Sequence, residues 1–402
     1  MHDQATIGAR LRALRRWRRM SLEQVAGQAG LSKSFLSMAE RGQRILDRRS
    51  HIAALASALR VSETELVGAP HLGRDPEQSG PHRVVPIVRA ALTGNTLNDP
   101  ATDQARPLDV LHTVLFREIA DMRDSADYVS RAQLVAPVID ELHWHAATGG
   151  EANRRRALRL LIEACHETGV TTLKSLGHQD LAYLAAARAN EAATLLDEPL
   201  TTAYAAYLRA RAMPKGDWDR PLRIASAAAD RLEPHTGSRD AGELYGMLHL
   251  TAALSAAAIS RSGLAADHLA EARSVAVRLG ERQNAFGTFG PTNVALWDIA
   301  IAMEHGDYGQ AVTVSSGVVL GPMPNMERRA VFHADRGRAF AHLKGELPGA
   351  VTELRKAEHI APQIIRNNPV VQETVLHLLG RPLSTSQGRE VRGMAARMGL
   401  PH

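Results

Sequence analysis

The stretch SLEQVAGQAGLSKSFLSMAER, Ser21 to Arg41, decides how this sequence folds. Ser21 followed by Gln24 is the pattern of a capping box at a helix start. Leu22, Val25, Ala26 and Ala29 then recur at helical spacing on one side. Gly30 ends that helix, because glycine takes the left-handed C-terminal conformation without a steric cost. Leu31 enters the core and Ser32 caps a second helix, with Phe35, Leu36 and Ala39 inward and Lys33, Ser34, Ser37, Met38 and Arg41 outward. A face of short polar and basic side chains can lie in the major groove, where base edges present donors and acceptors. The stretch therefore predicts a helix-turn-helix.

Charge supports that reading. The chain carries a net +5 over 402 residues. Residues 1–66 hold 12 Lys+Arg against 6 Asp+Glu, and the rest 36 against 37. All the excess positive charge is in the first 66 residues, as expected of a nucleic-acid-binding module joined to a neutral one. Hydrophobic residues make up 45% and aromatics 4%, a core of Ala, Leu and Val that suits packed helices better than a β-sandwich. The one cysteine, Cys165, excludes a disulfide framework and a cysteine-based zinc cluster, which fits a reducing cytoplasm. No apolar run of membrane-spanning length and no apolar signal segment occurs, so no membrane partner is expected.

On either side of the stretch the helical pattern continues. Thr6 to Arg19 reads as a first helix, with Ile7, Leu11 and Leu14 apolar, Trp17 at the edge, and Arg10, Arg12, Arg15, Arg16, Arg18 and Arg19 around it. A loop with Arg44, Arg48 and Arg49 leads to a helix from Ser50 to Leu59. Ser62 and Glu65 cap a short last helix ending near Gly68.

The string IGARLRALRRWRRMSLEQVAGQAGLSKSFLSMAERGQR, then HIAALASALRVSETEL, resembles the repressor/Cro-type (Xre family) five-helix DNA-binding domain over residues 6–67. The resemblance implies base-edge contacts from Lys33, Ser34, Ser37 and Met38. It implies phosphate contacts from the Leu22 backbone N–H, Ser32, Arg41, Arg44 and Arg48. Arg15 and Glu40 stand where the family pairs a first-helix arginine with a glutamate ending the reader, a structural ion pair. The family often has proline after the position of Gly42. Here the chain reads Arg44-Ile45-Leu46-Asp47, which leaves the loop path open.

Residues 69–107 read as a linker, rich in Gly, Pro and charge, with a short helix at 84–92 that bridges the domains. From Leu108 to the end the pattern is helical and repeating. Gly306-Asp307-Tyr308 leads to Ala311, Gly345-Glu346-Leu347 to Ala350, and Gly263 to Ala266, with Gly216-Asp217-Trp218 a looser copy. These glycines lie 47, 43 and 39 residues apart, longer than the roughly 34-residue tetratricopeptide period. The array resembles a degenerate tetratricopeptide solenoid. The fold class expected is thus all-α, a five-helix domain followed by an α-solenoid of helix pairs over 108–402.

Phe286-Gly-Thr-Phe-Gly-Pro-Thr-Asn-Val breaks the repeat pattern. It resembles strings found in actinobacterial regulators with this two-part layout. Phe286, Phe289, Thr292, Asn293 and Trp297 are the candidate ligand-binding residues, mixing aromatic surface with polar anchors. The competing reading is a structural loop between repeats.

His143-Trp144-His145 with Glu141 does not make a metal site, since helical residues two apart point to different sides. Metalloprotease, P-loop and nucleophile-elbow motifs are absent, and Cys165-His166 are only sequence neighbours. No catalytic residue, metal or cofactor is expected, and the chain does not read as an enzyme. The expected function is a cytoplasmic transcriptional regulator that binds a duplex operator, an inverted repeat, as a homodimer. The two-part layout resembles the peptide-pheromone receptors of Gram-positive bacteria, which implies a peptide or small-molecule effector. The alternatives are repeats that bind a partner protein, or repeats that only dimerise.

Overall fold

The computed structural model of the protein describes residues 6–68, 76–213, 217–282 and 286–401, and these are helical almost throughout. The N-terminal unit has five helices: α1 (Ile7–Trp17), α2 (Leu22–Gln28), α3 (Lys33–Glu40), α4 (Arg49–Leu59) and α5 (Glu63–Val67). Ile7, Leu11, Val25, Leu36, Leu55, Leu59 and Leu66 form their shared core. α1 and α3 cross so closely that a Cβ on Gly8 would stand 2.0 Å from the Ala39 carbonyl oxygen. Glycine is the only residue that fits there.

Two helices follow where a linker with one short helix at 84–92 was expected, although residues 69–75 lie outside the described residues. These are α6 (Pro76–Arg83) and α7 (Val85–Gly94). α6 is held from outside, since His82 lies 3.2 Å from both the His178 ring and the Asn367 side-chain oxygen. α7 packs mainly on α10 and α12. Val85, Val88, Ala91 and Leu92 are buried in the large core of the second unit. The apolar spacing that predicted this helix is the face it buries.

The remaining helices form consecutive pairs. α8 (Leu108–Thr113) and α9 (Ala120–Asp124) flank a π-helical segment, Val114–Ile119, and pack on α10 (Tyr128–Thr148). α11 (Glu151–Cys165) runs into a second π-helical segment, His166–Leu173, and packs on α12 (Gln179–Leu196). Then come α13 (Pro199–Ala212) with α14 (Asp219–Leu232), and α15 (Arg239–Ala258) with α16 (Ser262–Leu279). α17 (Pro291–His305) is followed by α18 (Tyr308–Ser316), and α19 (Met326–His342) by α20 (Leu347–Ile360). Short α21 (Pro362–Ile365) precedes the last pair, α22 (Pro369–Leu379) and α23 (Thr385–Arg397).

α13 also touches α15, α15 touches α17, and α17 touches α19. That stepwise contact is how stacked pairs share one core that no pair could form alone. Alanines at 182, 185, 186, 189, 192 and 193 line the buried side of α12, and small residues let neighbouring helices approach closely. One expected turn differs: Gly263 lies inside α16. The chain turns instead at Ser260, with φ +60, and Ala265 rather than Ala266 is buried. Gly216, the looser copy, lies outside the described residues.

The stack also bends back on itself. Asn325 donates to Asp124 (3.2 Å), Ser175 to Glu327 (3.2 Å), and the Tyr128 backbone N–H to Gln363 (2.9 Å). Helices α19 to α21 therefore lie against α9, α10 and α6.

Candidate nucleic-acid interface

The reader is built by local capping. Ser21 Oγ accepts from Gln24 N (3.1 Å), and Gln24 Oε1 accepts from Ser21 N (2.7 Å). Gly30 has φ +65, the left-handed value the turn needs. Ser32 Oγ accepts from Phe35 N (3.1 Å) and starts α3. Lys33 and Ser34 are fully on the surface of its first turn, Ser37 and Met38 half-buried, and Arg41 exposed at its end. The Lys33 ammonium bonds Glu23 of α2, and that contact holds Glu23 below the usual carboxylate range. Both side chains are exposed, so water and salt screen the pair and a base edge can displace it.

Arg15 grips Glu40 with two hydrogen bonds, 2.6 and 2.7 Å, and donates a third to the Met20 carbonyl (3.0 Å). Side-chain exposure is 13% and 6%, so the pair lies under the surface and ties α1 to the end of the reader. The Glu40 hydrogen bond raises the Arg15 pKa further. Neither side chain faces outward toward DNA.

Among the expected phosphate contacts, Ser32, Arg41 and Arg44 are exposed, and Leu22 is the half-buried first residue of α2. Arg44 lies along the reader, its guanidinium 5.8 Å from the Phe35 ring centre. Arg48 is separated from these: it is half-buried against Gly306, in the turn between α17 and α18.

That displacement follows from the loop whose path the sequence left open. Ile45 packs into the repeat core while Leu46 packs into the reader core. Asp47, between the two units, is buried. Its Oδ2 lies 2.9 Å from His342 Nε2 and 3.3 Å from Arg338 Nη2, which also donates to the Asp47 carbonyl (3.1 Å). Burial alone would raise Asp47, but His342 and Arg338 hold it below its ordinary value. In the opposite direction, Glu304 at the end of α17 accepts from Ser50 N (2.7 Å) and Arg49 N (3.1 Å), capping α4. Glu373 of α22 accepts from Ile7 N (2.9 Å) at the start of α1. Burial pushes Glu373 up to about 7. Two repeat-domain carboxylates thus satisfy helix N-termini of the reader unit, where unpaired N–H groups favour negative charge.

The candidate ligand residues divide. Phe289 is 1% exposed and its ring fills the space over Gly246, where a Cβ would come within 2.1 Å of it. Thr292 is half-buried, with its N–H donating to Glu281 (2.6 Å). These two serve packing and a helix start. Phe286, Asn293 and Trp297 face one polar–aromatic cluster in the interior. The Phe286 ring stands 4.6 Å from Tyr204, 5.6 Å from Tyr207 and 6.0 Å from His166. Asn293 accepts from Arg328 (2.5 Å), and Arg328 and Arg211 both lie over the Trp297 indole, at 5.9 and 5.0 Å.

His166 opens the second π-helical segment, a geometry that often marks functional positions. It lies 2.6 Å from Tyr204 Oη, which donates to Glu163 (2.5 Å). Burial, then Glu167, pushes Glu163 to about 7, and burial lowers His166 to about 4. Sequence reading passed over Glu163, Tyr204, Tyr207, Arg211 and Arg328, whose separations carry no local pattern. Cys165 beside them is buried, its thiol raised to about 12. His143 and His145 point apart, to the Ile139 and Arg106 carbonyls. Among the described residues no group of three His, Cys, Asp or Glu is placed to hold a metal ion, and no helix is long and apolar enough to cross a membrane.

No curated protein and no solved structure matches the chain. The family described as a helix-turn-helix domain matches residues 6–67, the same span that holds α1 to α5. Residues 6–67 of this all-α protein are a helix-turn-helix domain, the kind of unit that binds DNA.

Proposed function

We propose that the protein is a sequence-specific transcriptional regulator of the repressor/Cro type, whose tetratricopeptide-like repeats sense an effector and hold two copies together on an inverted-repeat operator. The exposed start of α3, with Lys33 and Ser34 outward and Arg41 and Arg44 beside it, is the observation that carries the DNA reading. One such domain offers few base contacts, so specificity calls for two half-sites. Sensing rests on the interior cluster and on the loop holding Asp47, which joins the repeat core to the reader core. An effector that binds one arrangement of the repeats better than another shifts the population of docked reader domains. The protein carries out no reaction on this reading.

Selection of binding sites from a random duplex pool by the full chain tests it. The wild type should enrich one inverted repeat. Lys33→Ala with Ser34→Ala should abolish that enrichment and leave weak, salt-sensitive binding. Unchanged enrichment by the double variant would mean that α3 is not the reader. Stabilisation of the full chain by no peptide or metabolite fraction would favour repeats that bind a partner protein or only dimerise.

A further inference from the structure

Arg211 of α13 and Arg328 of α19 stand over the same indole, Trp297. Two guanidiniums sharing one ring repel each other, and neither has a carboxylate within ion-pair distance among the described residues. Arg328 Nη2 is used by Asn293, but the Nε atoms of both arginines and the Trp297 Nε1 are buried without a hydrogen-bond partner there. Burial, then Arg211, lowers Arg328 to about 10. A buried charge is tolerated when it is paired, and here Glu327 and Asp335 act on Arg328 only from beyond ion-pair distance. Beside them is a wall of aromatic surface made by Phe286, Tyr204 and Tyr207. Arg211, Arg328, Tyr204 and Phe286 each keep some solvent-reachable surface.

We propose that the effector is an anion with a flat apolar body, its carboxylate, sulfonate or phosphate oxygens bridging Arg211 and Arg328 and its body lying against Phe286 and Tyr204. This rests on the effector-sensing reading above and names its chemistry. The planar guanidinium fork suits a multi-oxygen anion, and such charge-assisted bonds strengthen away from bulk water. Trp297 holds both arginines in place through cation–π contact, so the pair is arranged before the ligand arrives.

Two fluorescent probes of the same aromatic body test this on the full chain: anilinonaphthalene sulfonate, an anion, and phenylnaphthylamine, which is neutral. The sulfonate should bind at one site per chain, at least about tenfold tighter than the amine. Arg328→Gln and Arg211→Gln should each weaken the sulfonate by about tenfold and leave the amine unchanged, with Arg211→Lys recovering part of the loss. The amine also reports whether each variant keeps its interior. Equal affinity for both probes, or sulfonate binding indifferent to both substitutions, overturns the anion assignment while leaving the effector reading standing. Binding of neither probe overturns the anion assignment and the effector reading together.

Discussion

The Glu304 carboxylate lies 2.7 Å from the backbone nitrogen of Ser50, 254 residues away in sequence, and closes the first turn of α4 from another domain. A helix N-terminus is ordinarily capped by its own preceding residue. Here Arg48 occupies the cap position and offers no side-chain bond, so the N–H groups of α4 depend on α17. These N–H groups border the loop expected to grip DNA phosphates, and a phosphate oxygen would seek the same donors.

Glu304→Ala should therefore loosen domain docking by about 1 to 2 kcal/mol, the usual worth of a cap reinforced by charge. The expected readout is tighter binding of mixed-sequence duplex by the full chain, with a larger salt dependence. Unchanged affinity would show that the docked arrangement and DNA binding do not compete.

Asp47→Ala should be more damaging to stability. It leaves Arg338 and His342 facing a buried gap, with Arg338 still bonded to Asp335 (2.6 Å) and to the backbone carbonyl at position 47 (3.1 Å) but without the Asp47 charge. Removing one member of a buried pair costs on the order of 3 kcal/mol. Thermal unfolding followed by circular dichroism should show a lower first transition. Asp47→Asn, which keeps an acceptor, should recover part of the loss.

The Arg15–Glu40 pair should show strong coupling. Arg15→Ala and Glu40→Ala should each destabilise the chain, and the double variant should lose less than the sum. A double-mutant cycle should give about 1 to 2 kcal/mol, as for a bidentate pair shielded from solvent. A value near zero would reduce the pair to a surface contact.

Glu373 predicts a defined pH effect. Its folded pKa of about 7 lies above the ordinary value of 4.5 because burial disfavours the charge. Its contribution is thus fully present below about pH 4.5 and lost as pH rises through 7, roughly 3 kcal/mol across the window. His51, His166, His249 and His377, lowered to about 4, act in the opposite direction. The difference between wild type and Glu373→Gln isolates the effect of this carboxyl group. The variant should gain stability relative to wild type between pH 5 and about 8. A constant difference over that range would contradict the assignment.

Much of this architecture is visible in the sequence because local chemistry specifies it. Ser21 with Gln24, Ser32, and Ser62 with Glu65 each mark a helix start. What was not legible depends on residues far apart in the chain. Asp47 meets Arg338 across 291 positions, and its only trace was the apolar Ile45 and Leu46 in a loop otherwise full of charge. The turn at Ser260 was hidden because a nearby Gly263 offered a better local candidate. Arg211, Arg328 and Trp297 come from three different helix pairs, so no spacing announces them. α6 was missed because its sequence, with Pro81 and Gly80, is a poor helix by itself and is fixed by His82 contacts.

α17 begins at the turn that carries Phe286, presents Asn293 and Trp297 to the interior, and ends with Glu304 against α4. Asn293 and Glu304 are 11 residues apart on one uninterrupted helix, about 16 Å. A rod of that length behaves as a lever. Tilting it by about 4° moves the far end by about 1 Å, enough to break a hydrogen bond at the distance seen at Ser50.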